Sequence, residues 1–216
     1  MGLGGFFMNW MEMSLKDFQA ALASSSPTPG GGTAAAVALG QAAALSVMVC
    51  DLTLGSEKWS DGWPIAEEIQ LLAIPLLHHS GVLAQQDSDA FDEVMASFKL
   101  PKSTEEEKLG RRDAIRAATL HAAQVPFETA QQASRLLNKL PQLAAKGNSN
   151  AASDVGVAGL LASAAAKGAV FNVEINLESL PAEFGQEMRE ALPVMKEQVK
   201  TDSRAVMDEV RRRIES

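Results

Sequence analysis

The sequence predicts an all-α domain, a bundle of about five long helices plus short ones arranged around a central helix rich in alanine and glycine. Three observations predict it. The stretch from Ser26 to Asp51, SPTPGGGTAAAVALGQAAALSVMVCD, passes from a proline- and glycine-rich loop into an alanine-rich run with no charge before Asp51. Apolar residues between Ile65 and Phe98 recur at the three- and four-residue spacing of a helix face. No segment alternates apolar and polar residues as a half-buried strand would.

Taken in order, Ser14 followed by Asp17 marks the start of a short helix to about Ala23. Pro27 and Pro29 disfavour helix in the residues before them, and Gly30, Gly31 and Gly32 permit close backbone approach, so the central helix begins beyond them with Thr33 as its cap. After Gly55 a charged and aromatic connection leads to Pro64, a first-turn proline. The next helix carries the stripe Ile65, Ile69, Leu72, Leu76, Leu83, Ala90, Val94 and Phe98, with a kink expected at Pro75. A break around Pro101 precedes Thr104 and Glu107, a capping box that restarts helix to about Asn138, with a kink at Pro126 and a turn from Pro141 to Gly147. Ser153 or Asp154 opens a second alanine-rich helix. A charged helix from about Pro181 to Arg213 closes the chain.

Composition bounds the function. The 216 residues show no linker, so residues 14–216 read as one domain. Residues 1–13, MGLGGFFMNWMEM, lack the basic start of a signal peptide and read as a flexible extension outside the fold. A net charge of -8 argues against a nucleic-acid surface. The run from Thr33 to Val49 approaches membrane-spanning length, but small residues and Gln41 make it a buried helix, so no membrane partner is expected. The single cysteine, Cys50, excludes an intrachain disulfide framework, fits a reducing compartment, and reads as a small core hydrophobe.

Chemistry concentrates on few side chains. Asp87 lies in line with the long apolar stripe, where a carboxylate must be paired, raised in pKa or open to a cleft. Asp89 is about 200° further round the helix and reads as solvated. His79 is two turns from Asp87, about 12 Å along the axis, and reads as a satisfied histidine. With one cysteine and no histidine pair at a recognised spacing, no metal site is expected. Asp154, Asn172 and Asn176 share a face of the late helix. Asn172 and Asn176 could present donors and acceptors to a ligand ring or tie helix backbones together. Asp154, about 27 Å from Asn172, is either a helix cap or a contact to a distant part of an extended ligand or a partner subunit. A phosphate-cradling role for Gly30 to Gly32 is excluded, since no Gly-Lys-Ser/Thr follows and no strand precedes. Their free N–H groups at a helix start could instead line a ligand site.

SPTPGGG at the head of an alanine-rich helix, DSDAF followed by LPK, then GN, SDVGVA and FNVEINL, together resemble the cyclodeaminase/cyclohydrolase family. That family includes the C-terminal domain of formiminotransferase-cyclodeaminase and stand-alone methenyltetrahydrofolate cyclohydrolases. The resemblance runs from about Ser14 to the end. It implies a cytoplasmic, homodimeric, all-helical enzyme acting on one-carbon tetrahydrofolates, with no cofactor. It places the catalytic aspartate on Asp87 within DSDAF. It implies hydrolysis of 5,10-methenyltetrahydrofolate to 10-formyltetrahydrofolate, with formiminotetrahydrofolate cyclodeamination as the alternative; a non-catalytic folate-binding or protein-interaction dimer is a further one. The substrate's glutamate tail, including a polyglutamate one, needs cations, for which Lys58, Lys102 and the cluster from Lys108 to Arg112 are candidates. LPK matches the family and favours Lys102.

Overall fold

The structure, a computed structural model, describes residues 9–215. Six helices order the chain: α1 (Leu15–Leu22), α2 (Gly31–Leu54), α3 (Trp63–Ser97), α4 (Glu105–Lys146), α5 (Ala152–Glu178) and α6 (Gln186–Glu215). Five are long and one is short, and no strand occurs among the described residues. Short 3-10 turns at Trp10–Glu12, Glu57–Gly62 and Ser149–Ala151 complete the backbone.

Local chemistry sets the starts. Ser14 Oγ accepts from the Asp17 N–H at 3.1 Å, and Thr104 and Glu107 form the reciprocal capping box. Pro64 lies in the first turn of α3. α2 begins three residues earlier than expected: Gly30 is its N-cap, without a side-chain cap bond, and Thr33 is inside the first turn. That frees the Thr33 hydroxyl for another partner. α5 begins at Ala152 with Ala151 as cap, so Asp154 is not the cap but an acid in the first turn, favourable to the helix dipole. α6 begins at Gln186, later than Pro181, because Gly185 adopts φ +67°. A Cβ there would also meet Leu177 Cδ2 at 2.5 Å.

Pro75, Pro126 and Pro141 all lie within continuous helices, and α4 runs through the expected stop at Asn138 to Lys146. A proline leaves the carbonyl four residues earlier without its helical donor. For Pro126 that carbonyl is Ala122 O, and Asn176 Nδ2 of α5 donates to it at 2.9 Å. A tertiary bond therefore replaces the missing helical one.

The core is built from small residues. α2 packs on α3 and α5, and α4 touches α2, α3, α5 and α6, so the expected spine α2 shares the centre with α4 and α5. On α3 the buried face includes Ala66, Ala73, Ser80, Gly81, Ala84 and Ser88 between the larger residues, while Phe98, expected in the stripe, is 50% exposed. A Cβ on Gly40 of α2 would overlap Ser80 Oγ and come within 3.2 Å of Ser80 Cβ. Glycine at this crossing lets the two helices approach closely. Trp10–Glu12 docks on the same seam: a Cβ on Gly81 would meet Met11 Cγ at 3.1 Å. Residues 1–8 of the expected extension lie outside the described residues; the part that is described, residues 9–13, packs on the bundle.

By length and composition α2 and the stretch from Ser149 to Glu178 could each cross a membrane, but both pack inside the bundle with 56% of the apolar window buried. Cys50 is fully buried in α2, and burial pushes its thiol up to about 12. Native protein is therefore expected to react with a disulfide reagent only after unfolding, as followed by thiolate release with and without denaturant.

Candidate active site

Asp87 projects from α3 onto the first turn of α2. The lack of a side chain at Gly32 makes this possible: a Cβ there would overlap Asp87 Oδ1 and lie 2.6 Å from its Cγ. Thr33 Oγ1 donates to Asp87 Oδ2 at 3.0 Å. Thr33 Oγ1 also lies 3.1 Å from Ser88 Oγ, which accepts from Trp10 Nε1 at 2.9 Å. Burial pushes the Asp87 carboxyl above its ordinary value, while the Thr33 hydroxyl and backbone N–H pull it down. A half-buried carboxylate at the positive end of a helix, with one face held by donors and its pKa raised by burial, can take up and release a proton.

Asn172 joins this group from α5. Its Nδ2 donates to Gly168 O at 2.9 Å, and a Cβ on Gly31 would lie 3.9 Å from that nitrogen. Gly31 thus faces an amide that keeps one N–H and its carbonyl oxygen available. The glycine-rich start of α2, Gly30 to Gly32, thus lies beside both Asp87 and Asn172. Asn176 is not free in the same way: its two amide hydrogens go to Ala122 O and Asn172 O, each at 2.9 Å. The helix-tying role has claimed its donors.

The residues match a known family over nearly the whole length. The family model described as formiminotransferase-cyclodeaminase covers residues 14–209. The chain belongs to the formiminotransferase-cyclodeaminase family. A methenyltetrahydrofolate cyclohydrolase of Methylorubrum extorquens is 39% identical over 171 residues, 77% of this chain and 80% of that protein. A formimidoyltransferase-cyclodeaminase of Rattus norvegicus is 30% identical over 210 residues, 95% of this chain but only 38% of the length of that protein. The crystal structure of a formiminotetrahydrofolate cyclodeaminase from Thermotoga maritima superposes with a TM-score of 0.82 at 31% identity, covering 93% of this chain and 97% of that one.

Other candidates fall elsewhere on this family domain. Asp154 lies at the far end of α5, about 27 Å from Asn172. Its end of the helix meets the close of α2, where the Asn148 N–H donates to Thr53 Oγ1 at 3.0 Å. Asp154 is therefore not part of the Asp87 group. Lys102 is exposed in the α3–α4 connection, beyond the ten residues, about 15 Å of helix, that separate Asp87 from Ser97. Among the other cations, Lys58 lies over the Trp59 ring, Lys108 pairs with Glu105, and Arg111 donates twice to Phe98 O, closing the α3–α4 corner. His79 meets Glu128 Oε1 at 2.7 Å, a satisfied histidine. Among the described residues, no three His, Cys, Asp or Glu side chains group closely enough to hold a metal ion.

A groove of about 1030 Å³ between α5 and α6 does not contain Asp87. Its α5 residues, including Lys167, Val170 and Glu174, lie on the side of that helix turned away from Asn172. Lys196 and Glu174 pair across it at 2.8 Å. Location beside the titratable carboxylate, rather than volume, marks the candidate site.

Sequence reasoning missed three contributors. Thr33 reads in the sequence as a helix cap, and Ser88 and Trp10 do not stand out there. The signal for Ser88 is its place beside Asp87 on the buried face of α3; for Trp10 it is a large aromatic set in an apolar segment.

Proposed function

We propose that this chain is a folate one-carbon enzyme that hydrolyses 5,10-methenyltetrahydrofolate to 10-formyltetrahydrofolate, with Asp87 as the proton-transferring group. The observation that carries this reading is a single half-buried carboxylate, raised by burial, seated on the glycine-rich start of α2. In this reaction water adds to the cationic methenyl carbon between N5 and N10, and Asp87 takes a proton from it. As the C–N5 bond breaks, the carbinol proton passes through Asp87 to N5; the formyl group stays on N10, and one proton leaves to solvent. Neither step requires a covalent intermediate with the protein. The 39% identity to a cyclohydrolase over 80% of that protein supports hydrolysis. Formiminotetrahydrofolate cyclodeamination is the second reading, supported by the TM-score of 0.82 to a cyclodeaminase; there N10 attacks the formimino carbon and ammonia leaves. Loss of methenyltetrahydrofolate absorbance and ammonia release from formiminotetrahydrofolate separate the two.

Asn172 and the N–H groups at Gly31 and Gly32 would hold the pteridine side, and Lys102 the glutamate tail of an extended ligand. On this reading Lys102→Ala raises the KM for polyglutamylated substrate several-fold and leaves kcat unchanged; an unchanged KM would withdraw Lys102 from tail binding. The protein would act as a cytoplasmic homodimer. α5 exposes Val157, Leu160, Phe171 and Ile175 along one stripe, and neighbouring α2 exposes Met48 and Leu52. A second copy covering that apolar stripe would remove it from water. Sedimentation is expected to give a dimer for the parent and a monomer for Phe171→Glu.

A further inference from the structure

Three side chains from three parts of the chain line up behind Asp87: Trp10 from the N-terminal turn, Ser88 from α3 and Thr33 from α2. An indole N–H can only donate, so Ser88 Oγ must accept from Trp10. An ionised carboxylate can only accept, so the single Thr33 hydroxyl proton goes to Asp87. Thr33 must then accept from Ser88 across their 3.1 Å separation. Both ends are fixed, and every proton in the row points toward the carboxylate.

We propose that Trp10, Ser88 and Thr33 form a one-way chain of hydrogen-bond donors that holds the Asp87 carboxylate ionised and in one orientation, which makes Trp10 and Ser88 positioning residues for this site. Reversal is blocked at the indole. If Asp87 gave its proton to Thr33, and Thr33 its own to Ser88, the Ser88 oxygen would receive two donors and its own proton would need a new acceptor. Each link also polarises the next, strengthening the last bond to the carboxylate.

Among the described residues, no charged group is placed to do the same work. α2 carries no charge before Asp51, about 28 Å along its axis from Gly32. α5 offers the neutral Asn172 and turns Lys167 and Glu174 into the groove on its other side. On α3 itself, Asp89 Oδ1 accepts from Gln85 Nε2 at 2.9 Å. The two α3–α4 pairs, the half-buried His79 with Glu128 and the exposed Glu93 with His121, lie about 9–12 Å from Asp87 along α3. The N-terminal turn brings only Glu12, which is exposed. Burial raises the carboxyl, and the donor row is what opposes it.

The inference rests on Asp87 being the proton-transferring group, and the test separates the two claims. In protein labelled with ¹³C at aspartate Cγ, Asp87→Asn identifies the Asp87 resonance, and its titration midpoint is then followed in Thr33→Val, Ser88→Ala and Trp10→Phe. The midpoint is expected to rise in all three, by about one pH unit in Thr33→Val, less in Ser88→Ala and least in Trp10→Phe. Ser88→Thr, which keeps the hydroxyl, should restore it, and the acid limb of the kcat–pH profile should move by the same amounts. An unchanged midpoint in folded Ser88→Ala and Trp10→Phe would overturn the donor chain; those two suffice if Thr33→Val fails to fold. Midpoints that shift in a protein with no turnover of either folate would sustain the chain and defeat the enzymatic reading.

Discussion

Gly32→Ala is expected to lower kcat for methenyltetrahydrofolate hydrolysis by about 100-fold or more while leaving a folded helical protein. The reason is local. A methyl group on Gly32 would occupy the space of Asp87 Oδ1, and the carboxylate would have to swing away from Thr33 and the helix start. Overpacking of this kind costs about 1–3 kcal/mol, less than the stability of an ordinary domain. Gly31→Ala is the control, because its Cβ would meet only Asn172 Nδ2, at an ordinary 3.9 Å. It should fold normally and act on KM through the amide it faces. Because Gly32→Ala works by displacing Asp87, combining it with Asp87→Asn should add little further loss of rate, whereas independent contributions would multiply. Initial rates of the two single variants and the double variant decide between these outcomes.

Asp87→Asn is expected to remove activity and yet not destabilise the protein at neutral pH. The folded-state value of Asp87 is raised by burial, so the folded chain binds this proton more readily than the unfolded chain. The stability that Asp87 contributes is therefore present below the ordinary carboxylate range and lost as pH rises through the raised value. Above it, the ionised half-buried group is a cost, which asparagine does not carry. Thermal unfolding should show Asp87→Asn at least as stable as the parent near neutral pH, with the advantage disappearing in acid. A Tm well below that of the parent at neutral pH would mean that the carboxylate is a structural tie and not a group held against its preference for water.

Much of this was legible from residue order, and the reasons are physical. An uncharged alanine-rich run can only be satisfied inside a bundle, and the stripe on α3 points Asp87 inward by periodicity alone. The resemblance of DSDAF and SPTPGGG to family motifs then paired two segments more than fifty residues apart. The helix ends were less legible. Pro126 looks like an interruption until the Asn176 amide of another helix is seen bonding Ala122 O. Asn172 and Asn176 share a helix face, yet neighbouring carbonyls consume both donors of one and only one donor of the other. Thr33 reads locally as a cap, and only the position of α3 reveals that its hydroxyl serves Asp87. Trp10 reads as part of a flexible extension because nothing nearby in the chain needs it; its partner Ser88 is 78 residues away.

The measurement that tests the central claim most directly is stopped-flow loss of methenyltetrahydrofolate absorbance with the parent protein and Asp87→Asn, each shown to be folded by circular dichroism. Asp87 as the proton-transferring group predicts a parent rate well above the buffer blank and a variant slower by about 100-fold or more. A folded Asp87→Asn protein that turns over methenyltetrahydrofolate at nearly the parent rate would contradict it.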